Sequence, residues 1–214
     1  MAAGDLEPAT IPVGDVELPA DVGVPPEPRG LVVFAHGSGS SRQSPRNRAV
    51  AETLRDHGLA TLLFDLLTPA EDQVRENRFD IPRLTDRLVG VTEWALNHDR
   101  IGHLAIGYFG ASTGAAAALR GAARQPDAVS AVVSRGGRVD MADELVDDVQ
   151  AACCFIVGSE DEHVLELNRS TYDQLTCEKE FEIVEGAGHL FEGARELEQV
   201  ADLAADWFVD HLGD

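Results

Sequence analysis

Short apolar segments alternate with amphipathic segments along most of the chain, and this alternation limits the fold more than any other feature. Buried strands are predicted at residues 30–37, 59–65, 103–109, 128–136, 152–159 and 180–188. Helices are predicted between and after them, at residues 44–58, 83–98, 112–125, 141–149, 164–176 and 193–212. Strands that alternate with helices pair into a parallel sheet with helices on both faces. The sequence therefore predicts a doubly wound, mostly parallel α/β sheet that binds ligands at the carboxyl ends of its strands.

The length of 214 residues suits one domain, and a hydrophobic content of 44% is enough to build a core. The sequence has no internal repeat and no linker, so residues 1–214 are expected to form a single domain. The Pro- and Val-rich segment 1–29 is expected at the periphery, where it could add a hairpin. The polar stretch 66–82 and the region after Arg138 are the only substantial insertions, so no large cap domain is predicted.

The charge of the chain is strongly negative, with 38 acidic and 17 basic residues and a formal net charge of −21. A surface of this charge repels phosphate backbones, so nucleic acids and anionic membranes are not expected as partners. Self-repulsion of this size destabilises the compact state at low ionic strength. We therefore predict a halophilic protein, and an acidic protein of ordinary salt tolerance is the alternative.

Nothing in the sequence predicts a membrane span, a secretion signal or a bound metal. No run of 18 apolar residues occurs, and the beginning, MAAGDLEPAT, lacks the basic and apolar regions of a signal peptide. A cytoplasmic location is therefore expected. Cys153 and Cys154 lie in an apolar run and are expected in the core of a strand, and together with Cys177 they show no zinc-binding spacing. Neither a cofactor nor a metal is predicted.

Residues 110–114 read Gly-Ala-Ser-Thr-Gly and lie between a predicted strand and a predicted helix. This G-x-S-x-G pattern is typical of a nucleophile elbow, in which a strained turn holds a serine hydroxyl above the end of the sheet. Gly110 and Gly114 have no side chain, which allows the strand and the helix to approach each other. Ser112 is therefore the predicted nucleophile.

A serine nucleophile needs a base, and the base needs a carboxylate that orients it. His189 follows the sixth predicted strand in the sequence Gly-Ala-Gly-His and is the predicted base. The acid is expected in the loop after the fifth strand, where we select Asp161. Spacing alone leaves Glu160 and Glu162 open, and Asp140, after the fourth strand, is a more distant alternative.

The sequence His-Gly-Ser-Gly-Ser-Ser follows the first predicted strand. An acyl-transfer site needs two backbone N–H groups directed at the developing oxyanion. One is expected from Thr113, the residue after the nucleophile, and the other from Ser38, with Gly37 as the alternative. Ser40 and Ser41 are candidates for holding this loop or contacting the substrate. The loop matches neither G-x-G-x-x-G nor the P-loop pattern, which makes phosphate binding the weaker interpretation.

The segment Arg-Gly-Gly-Arg after the fourth predicted strand lies at the same edge of the sheet. Arg135 is a candidate for contacting an anionic group of a substrate, although the excess of acidic residues favours an ordinary ion pair there. His36 is expected to pack beneath the loop that follows it. Arg42, Arg46, Arg75 and Arg78 are likewise candidates either for contacting an anionic substrate group or for forming an ordinary ion pair.

Together these motifs resemble the α/β-hydrolase superfamily, and within it the dienelactone hydrolase-like family. The segments FAHGSGSSRQSPRN, LATLLFDLLT, GYFGASTGAAAAL, VVSRGGR and GAGHLF carry the resemblance, which covers nearly everything from about residue 30 onward. They are similar to a subset that also occurs fused to phosphoribosyltransferase domains, and at 214 residues no fused domain is expected here. The resemblance implies an α/β-hydrolase fold and assigns Ser112, Asp161 and His189 as nucleophile, acid and base. Dienelactone hydrolases proper use a cysteine nucleophile, so the serine favours ordinary ester hydrolysis over a dienelactone substrate.

The expected function is therefore that of a metal-independent serine hydrolase acting on a small carboxylic ester. A thioesterase, a lactonase or an acyltransferase would use the same residues and remains open. A non-catalytic binding module is the alternative from another class, and the presence of Ser112, His189 and both elbow glycines disfavours it. The sequence does not indicate an oligomeric state.

Overall fold

A computed structural model describes residues 6–213, apart from the side chains of residues 143 and 144. Eight strands form one sheet in the order β1-β2-β4-β3-β5-β6-β7-β8. The strands are β1 (Leu6–Val13), β2 (Val16–Gly23), β3 (Leu31–Ala35), β4 (Ala60–Phe64), β5 (Ile106–Ala111), β6 (Val129–Arg135), β7 (Ala152–Gly158) and β8 (Lys179–Val184). The helices are α1 (Pro45–Asp56), α2 (Pro69–Asp72), α3 (Ile81–Leu96), α4 (Thr113–Arg124), α5 (Glu162–Gln174) and α6 (Ala194–Leu212).

The six strands β3 to β8 are parallel, which confirms the predicted doubly wound sheet. Every residue of β3, β4, β5 and β7 is buried. Helices cover both faces of these strands, so the side chains on both faces are buried. A strand sequence that is apolar throughout is therefore expected here, and not one that alternates apolar and polar residues. The carboxyl ends of β3, β5, β6, β7 and β8 therefore lie along one edge of the sheet, where the predicted site residues follow them.

The first two strands form an antiparallel hairpin at the edge of the sheet, and β2 pairs antiparallel with β4. Helix α3 packs directly against this hairpin. A Cβ atom on Gly90 of α3 would lie 2.4 Å from Cγ1 of Val13, so the absence of a side chain at position 90 allows the close contact. The hairpin thus extends the sheet on the side away from β8, and Asp21 of β2 accepts hydrogen bonds from Gln43 (3.4 Å) and Arg48 (2.8 Å) near the loop after β3.

The helices divide the core into two layers. Helices α1 and α6 cover one face of the sheet, with Val50, Leu54 and Phe208 among the buried residues there. Helices α3 and α4 and a 3₁₀ segment at Val139–Asp148 cover the other face. The four alanines at 115–118 are fully buried, which lets α4 lie close to the sheet directly after the turn at its start.

Two predicted segments differ from the structure. The stretch 66–82 contains helix α2, a 3₁₀ segment at Arg75–Phe79 and the start of α3, because Thr68 and Glu71 form a capping box and Asp80 caps α3. The helix predicted near 141–149 is instead the 3₁₀ segment Val139–Asp148. Its buried residues Val139 and Ala142 are three positions apart, the repeat of a 3₁₀ turn.

No large cap domain covers the sheet edge in the part of the chain from residue 6 to residue 213, since the connection after β4 holds only short helical turns. Within the same residues, no helix has the length and apolar character needed to cross a membrane. Cys153 and Cys154 are buried in β7, as predicted, and both are free thiols.

Candidate active site

Ser112 occupies the sharp turn between β5 and α4 with φ +50° and ψ −120°. A positive φ is strained for a residue that carries a side chain, and such strain is concentrated at functional sites. The flanking glycines make the turn possible. A Cβ atom on Gly114 would lie 2.1 Å from the carbonyl oxygen of Ala35, and one on Gly110 would lie 2.5 Å from Cα of Ala115. The elbow geometry expected from the G-x-S-x-G pattern is therefore present.

Backbone hydrogen bonds fix the position of Ser112. Its N–H donates to the carbonyl of Arg135 (3.2 Å), and its carbonyl accepts from the N–H groups of Arg138 and Ala115 (3.0 Å each). The side chain is half-buried, and its hydroxyl makes no hydrogen bond to another residue between positions 6 and 213. Catalytic hydrogen bonds are often long in ligand-free structures, so the absence of this bond is compatible with Ser112 as the candidate nucleophile.

His189 and Asp161 form a close pair at the same edge of the sheet. Nδ1 of His189 lies 2.7 Å from Oδ2 of Asp161. The Asp161 side chain is 16% exposed and the His189 side chain 38% exposed. Because the carboxylate accepts the Nδ1 proton, Nε2 of the ring is left as the acceptor, which is the arrangement a general base needs.

The loops after β7 and β8 hold this pair together. The N–H of Glu160 donates to the carbonyl of Ala187 (2.9 Å), and Gly158 approaches that carbonyl so closely that a Cβ would lie 2.2 Å from it. The side chains of Glu160 and Glu162 are exposed. Of the three acidic residues that the sequence left open in this loop, the structure brings Asp161 to His189.

A turn after β6 contacts both Ser112 and His189. Gly136 in this turn has φ +51°, and a Cβ atom there would lie 3.6 Å from Nδ1 of His189 and 3.2 Å from its carbonyl oxygen. Arg135, directly before this glycine, and Arg138, two residues after it, make the backbone hydrogen bonds to Ser112 described above. The serine and the histidine therefore both contact this short turn.

The loop after β3 approaches the serine from the other side. A Cβ atom on Gly37 would lie 3.1 Å from Cβ of Ser112. Neither the N–H of Ser38 nor that of Thr113 donates a hydrogen bond to another residue in the described part of the chain. Two unpaired backbone N–H groups beside a candidate nucleophile are the elements of an oxyanion hole.

His36 lies beneath this loop, as predicted, and orients it. Its Nε2 accepts a hydrogen bond from the N–H of Leu66 (3.0 Å), so Nδ1 carries the proton and donates to the carbonyl of Gly37 (3.0 Å). The N–H of Ser40 donates to the same carbonyl (3.1 Å). In a trans peptide the carbonyl and the next N–H point in opposite directions, so anchoring the Gly37 carbonyl directs the N–H of Ser38 away from His36.

Several other candidates lie away from the Asp161–His189 pair. Asp140 receives two hydrogen bonds of 2.9 Å from Arg138 and does not contact His189. The Ser41 hydroxyl accepts from the N–H of Gln43 (3.2 Å), and Ser40 and Ser41 line a depression that also includes Asp65. Arg42 is paired with Asp65 at 2.6 Å, as the excess of acidic residues led us to expect. Arg78 lines a small cavity together with Ser38 and Thr113.

Arg135 is the exception among these arginines. It is 8% exposed, and its guanidinium carbon lies 6.0 Å from the centre of the Phe191 ring. The predicted ion pair is absent among the described side chains of residues 6–213, which exclude those of residues 143 and 144, since none of their carboxylates lies within 4.0 Å of its guanidinium nitrogens. Sequence reasoning did not identify Phe191, and its position two residues after His189 is the only sequence signal for it.

Among residues 6–213, apart from the undescribed side chains of residues 143 and 144, no three side chains of the His, Cys, Asp or Glu type cluster closely enough to hold a metal ion.

Comparison with known proteins identifies relatives of different lengths. Two strains of Mycobacterium tuberculosis have a protein, named as a phosphoribosyl transferase, that is 52% identical to this chain over 206 residues. The match covers 96% of this chain but 46% of that protein, so the chain spans about half the length of these relatives.

Solved structures give matches over the whole described sheet. A dienelactone hydrolase from Anabaena variabilis is 47% identical, with a TM-score of 0.95 over 97% of this chain and 98% of that chain. Est1E from Butyrivibrio proteoclasticus shares the fold at 18% identity, with a TM-score of 0.81 over 95% of this chain and 98% of that chain. The family profile of the alpha/beta hydrolase fold matches residues 30–152. The chain belongs to the α/β-hydrolase family, in which it is similar to dienelactone hydrolase.

Proposed function

We propose that the chain is a serine hydrolase that cleaves small carboxylic esters through an acyl-enzyme on Ser112. The observation that carries the proposal is the 2.7 Å contact between His189 Nδ1 and Asp161 Oδ2, one short turn away from a serine held at φ +50°. A pair of this kind, close to an elbow serine, is the arrangement that activates a hydroxyl nucleophile.

The reaction follows from the positions of these groups. His189 Nε2 takes the proton of the Ser112 hydroxyl while the serine oxygen attacks the ester carbonyl. Asp161 keeps the proton on Nδ1 and stabilises the imidazolium that forms. The carbonyl oxygen becomes an oxyanion and is bound by the N–H groups of Thr113 and Ser38.

The acyl-enzyme then forms and is hydrolysed. Collapse of the tetrahedral intermediate breaks the bond to the alcohol, which leaves with the proton held by His189. Water attacks the acyl-enzyme in the same way: His189 accepts a proton from the water and returns it to Ser112, releasing the carboxylic acid.

The short connections around the sheet edge favour small substrates. The segment after β4 contributes Leu66, Leu67, Asp72 and Arg78 to a small cavity that Ser38 and Thr113 also line. No cap domain is present in residues 6–213 to bury a long acyl chain. The substrate we propose is therefore a short-chain ester.

Hydrolysis of 4-nitrophenyl esters of increasing chain length tests this function. We expect the native protein to turn over acetate and butyrate esters faster than long-chain esters. Replacement of the serine by alanine (Ser112→Ala) should lower kcat by about 10⁴-fold or more, because the nucleophile and its base act as a unit. Faster turnover of long-chain esters would contradict the open site, and equal turnover by Ser112→Ala would contradict the acyl-enzyme.

A further inference from the structure

Two of the three cysteines meet at the end of β7 that lies away from the candidate active site. Cys153 is the second residue of β7, whereas Asp161 follows the other end of the same strand. Cys177 lies in the bend that leads from α5 into β8. The N–H of Cys153 donates to the carbonyl of Glu178 (2.9 Å), the residue directly after Cys177, so the fold brings two cysteines together that are far apart in the sequence.

The thiols of this pair contact each other. The S–H of Cys153 donates to the carbonyl of Ala151 (3.3 Å) and is also in hydrogen-bonding contact with the sulfur of Cys177. All three cysteines are free thiols in this structure. A disulfide requires two side chains whose sulfurs face each other. Cys177 lies outside the strand, so the remaining approach can come from the bend while the pairing of β7 with β8 is kept.

The two thiols differ in exposure and in acidity. Cys153 is 1% exposed, and its hydrogen bond to Cys177 and its burial raise its pKa above the ordinary value of 9.0. Cys177 is half-buried, and the hydrogen bond from Cys153 lowers its pKa although partial burial acts in the opposite direction. The thiolate is the reactive form of cysteine, so an oxidant from solvent is expected to attack Cys177.

A fixed cation accompanies Cys177. Nζ of Lys179 donates to the carbonyls of Tyr172 (2.5 Å) and Leu175 (2.7 Å) at the end of α5 and lies 4.4 Å from the centre of the Tyr172 ring. The charge of Lys179 also lowers the pKa of Cys177, while the neighbouring Glu178 acts in the opposite direction. A partly exposed thiol with a cation beside it and a second thiol in contact is the setting of a redox-active cysteine.

Cys154 provides an internal contrast to this pair. Successive residues of a strand point to opposite faces of the sheet, and Cys154 packs in the core layer beneath α1 and α6, whereas Cys153 packs in the other layer. Burial and then the charges of Glu180 and Glu182 raise the pKa of Cys154 to about 12. Cys154 is therefore expected to remain an unreactive thiol.

We propose that Cys177 and Cys153 form an oxidative modification site, in which Cys177 reduces a hydroperoxide and the two cysteines then close a reversible disulfide. The Cys177 thiolate attacks the outer oxygen of the peroxide, the O–O bond breaks, and the alkoxide or hydroxide takes a proton from solvent. Cys177 is then a sulfenic acid. The sulfur of Cys153 attacks that of Cys177, and the hydroxide that leaves takes up the Cys153 proton as water. Two thiols lose two electrons and one peroxide gains them.

The test uses hydrogen peroxide as the oxidant. The native protein is treated with peroxide, denatured in N-ethylmaleimide to block the remaining thiols, and mapped as peptides without reduction. We expect the intact protein to lose two hydrogen atoms and gain one N-ethylmaleimide, with a cross-link between Cys153 and Cys177 and the label on Cys154. Dithiothreitol should restore all three thiols.

Variants separate the roles of the three cysteines, and thermal melting establishes that each variant is folded. The matched control Cys154→Ser should form the cross-link as the native protein does. Cys177→Ser should consume peroxide at least about tenfold more slowly, because the accessible thiolate is gone. Cys153→Ser should accumulate a sulfenic acid on Cys177 that dimedone captures. If Cys153→Ser does not fold, the native peptide map, Cys154→Ser and Cys177→Ser still decide.

Several results would overturn the assignment. These are a native protein that keeps three free thiols, a disulfide that involves Cys154 or joins two copies of the chain, and a Cys177 that is oxidised to a sulfinic acid without cross-linking. The experiment follows thiols and uses no ester, so its outcome does not depend on the proposed hydrolase function.

Discussion

The imidazole of His36 shows how a single buried residue controls both the site and the stability of the fold. The ring is 8% exposed, and both of its nitrogens make hydrogen bonds to the backbone. Burial lowers the pKa of His36 below its ordinary value of 6.5, with the hydrogen bond to Gly37 acting in the opposite direction. The neutral ring is required because Nε2 must accept from the N–H of Leu66.

A pH dependence of stability follows from this residue. Between the ordinary pKa and the lowered pKa, the unfolded chain binds a proton that the folded chain does not, so folding is favoured less as the pH falls. From pH ~6.5 downward, the free energy of unfolding in urea should decrease by up to about 1.4 kcal/mol per pH unit from this group. The matched variant His36→Gln should show a smaller slope over the same pH range, and an equal slope would exclude His36 as the cause.

The strain at Ser112 and the contact between Asp161 and His189 illustrate what can be predicted for single residues. The glycines at 110 and 114 predicted the elbow because their missing side chains are required for the close packing that the structure contains. The choice among three neighbouring acidic residues could not be made from spacing, since it depends on where α5 begins. Because α5 starts at Glu162, Asp161 precedes the helix with its carboxylate free to contact His189.

The loops after β7 and β8 carry Asp161 and His189 and bring the two side chains together. Replacing Asp161 by asparagine should lower kcat by about 10⁴-fold, because the amide does not stabilise the required tautomer and the imidazolium. Glu160→Gln and Glu162→Gln each remove one charge from the same loop and serve as matched controls. We expect both control variants to retain kcat within a few-fold. If either control lost as much kcat as Asp161→Asn, Asp161 would not be identified as the acid. Ester hydrolysis by the folded variants is the measurement.

The strands were more predictable than the connections between them. Strands β3, β4, β5 and β7 could be located because each is a continuous run of apolar or small residues, whereas β8 alternates charged and apolar residues. The connection after β4 was predicted as irregular because its two helical segments are only four and five residues long. The capping residues Thr68 and Asp80 were visible in the sequence, and they mark helix starts that a periodicity argument does not detect in so short a segment.

The position of Arg135 was predictable but its environment was not. Sequence placed it at the carboxyl end of a strand, where the structure also has it. Whether it would meet an acidic residue depended on the packing of α1 and of the loop after β8, which no local pattern specifies. The excess of acidic residues pointed to an ion pair, and the structure instead has a buried cation without one.

At the scale of the whole molecule, the charge of −21 is the dominant feature. Repulsion among the acidic residues opposes folding, and salt screens it. We therefore expect the free energy of unfolding in urea to increase by at least ~1 kcal/mol between low and molar KCl at neutral pH. The increase should shrink as the pH approaches the isoelectric point near 4.5, where the net charge vanishes. Stability that does not change with salt at neutral pH would contradict the halophile prediction.

The central claim, that Ser112 is a nucleophile activated by its surroundings, is tested most directly by intact-mass labelling with a fluorophosphonate probe. The reaction is run at low and at molar KCl with the native protein and the Ser112→Ala variant. The account predicts a single adduct on the native protein that maps to Ser112 and is absent from the variant. A folded native protein that acquires no adduct at either salt concentration would contradict it and would favour a non-catalytic binding module.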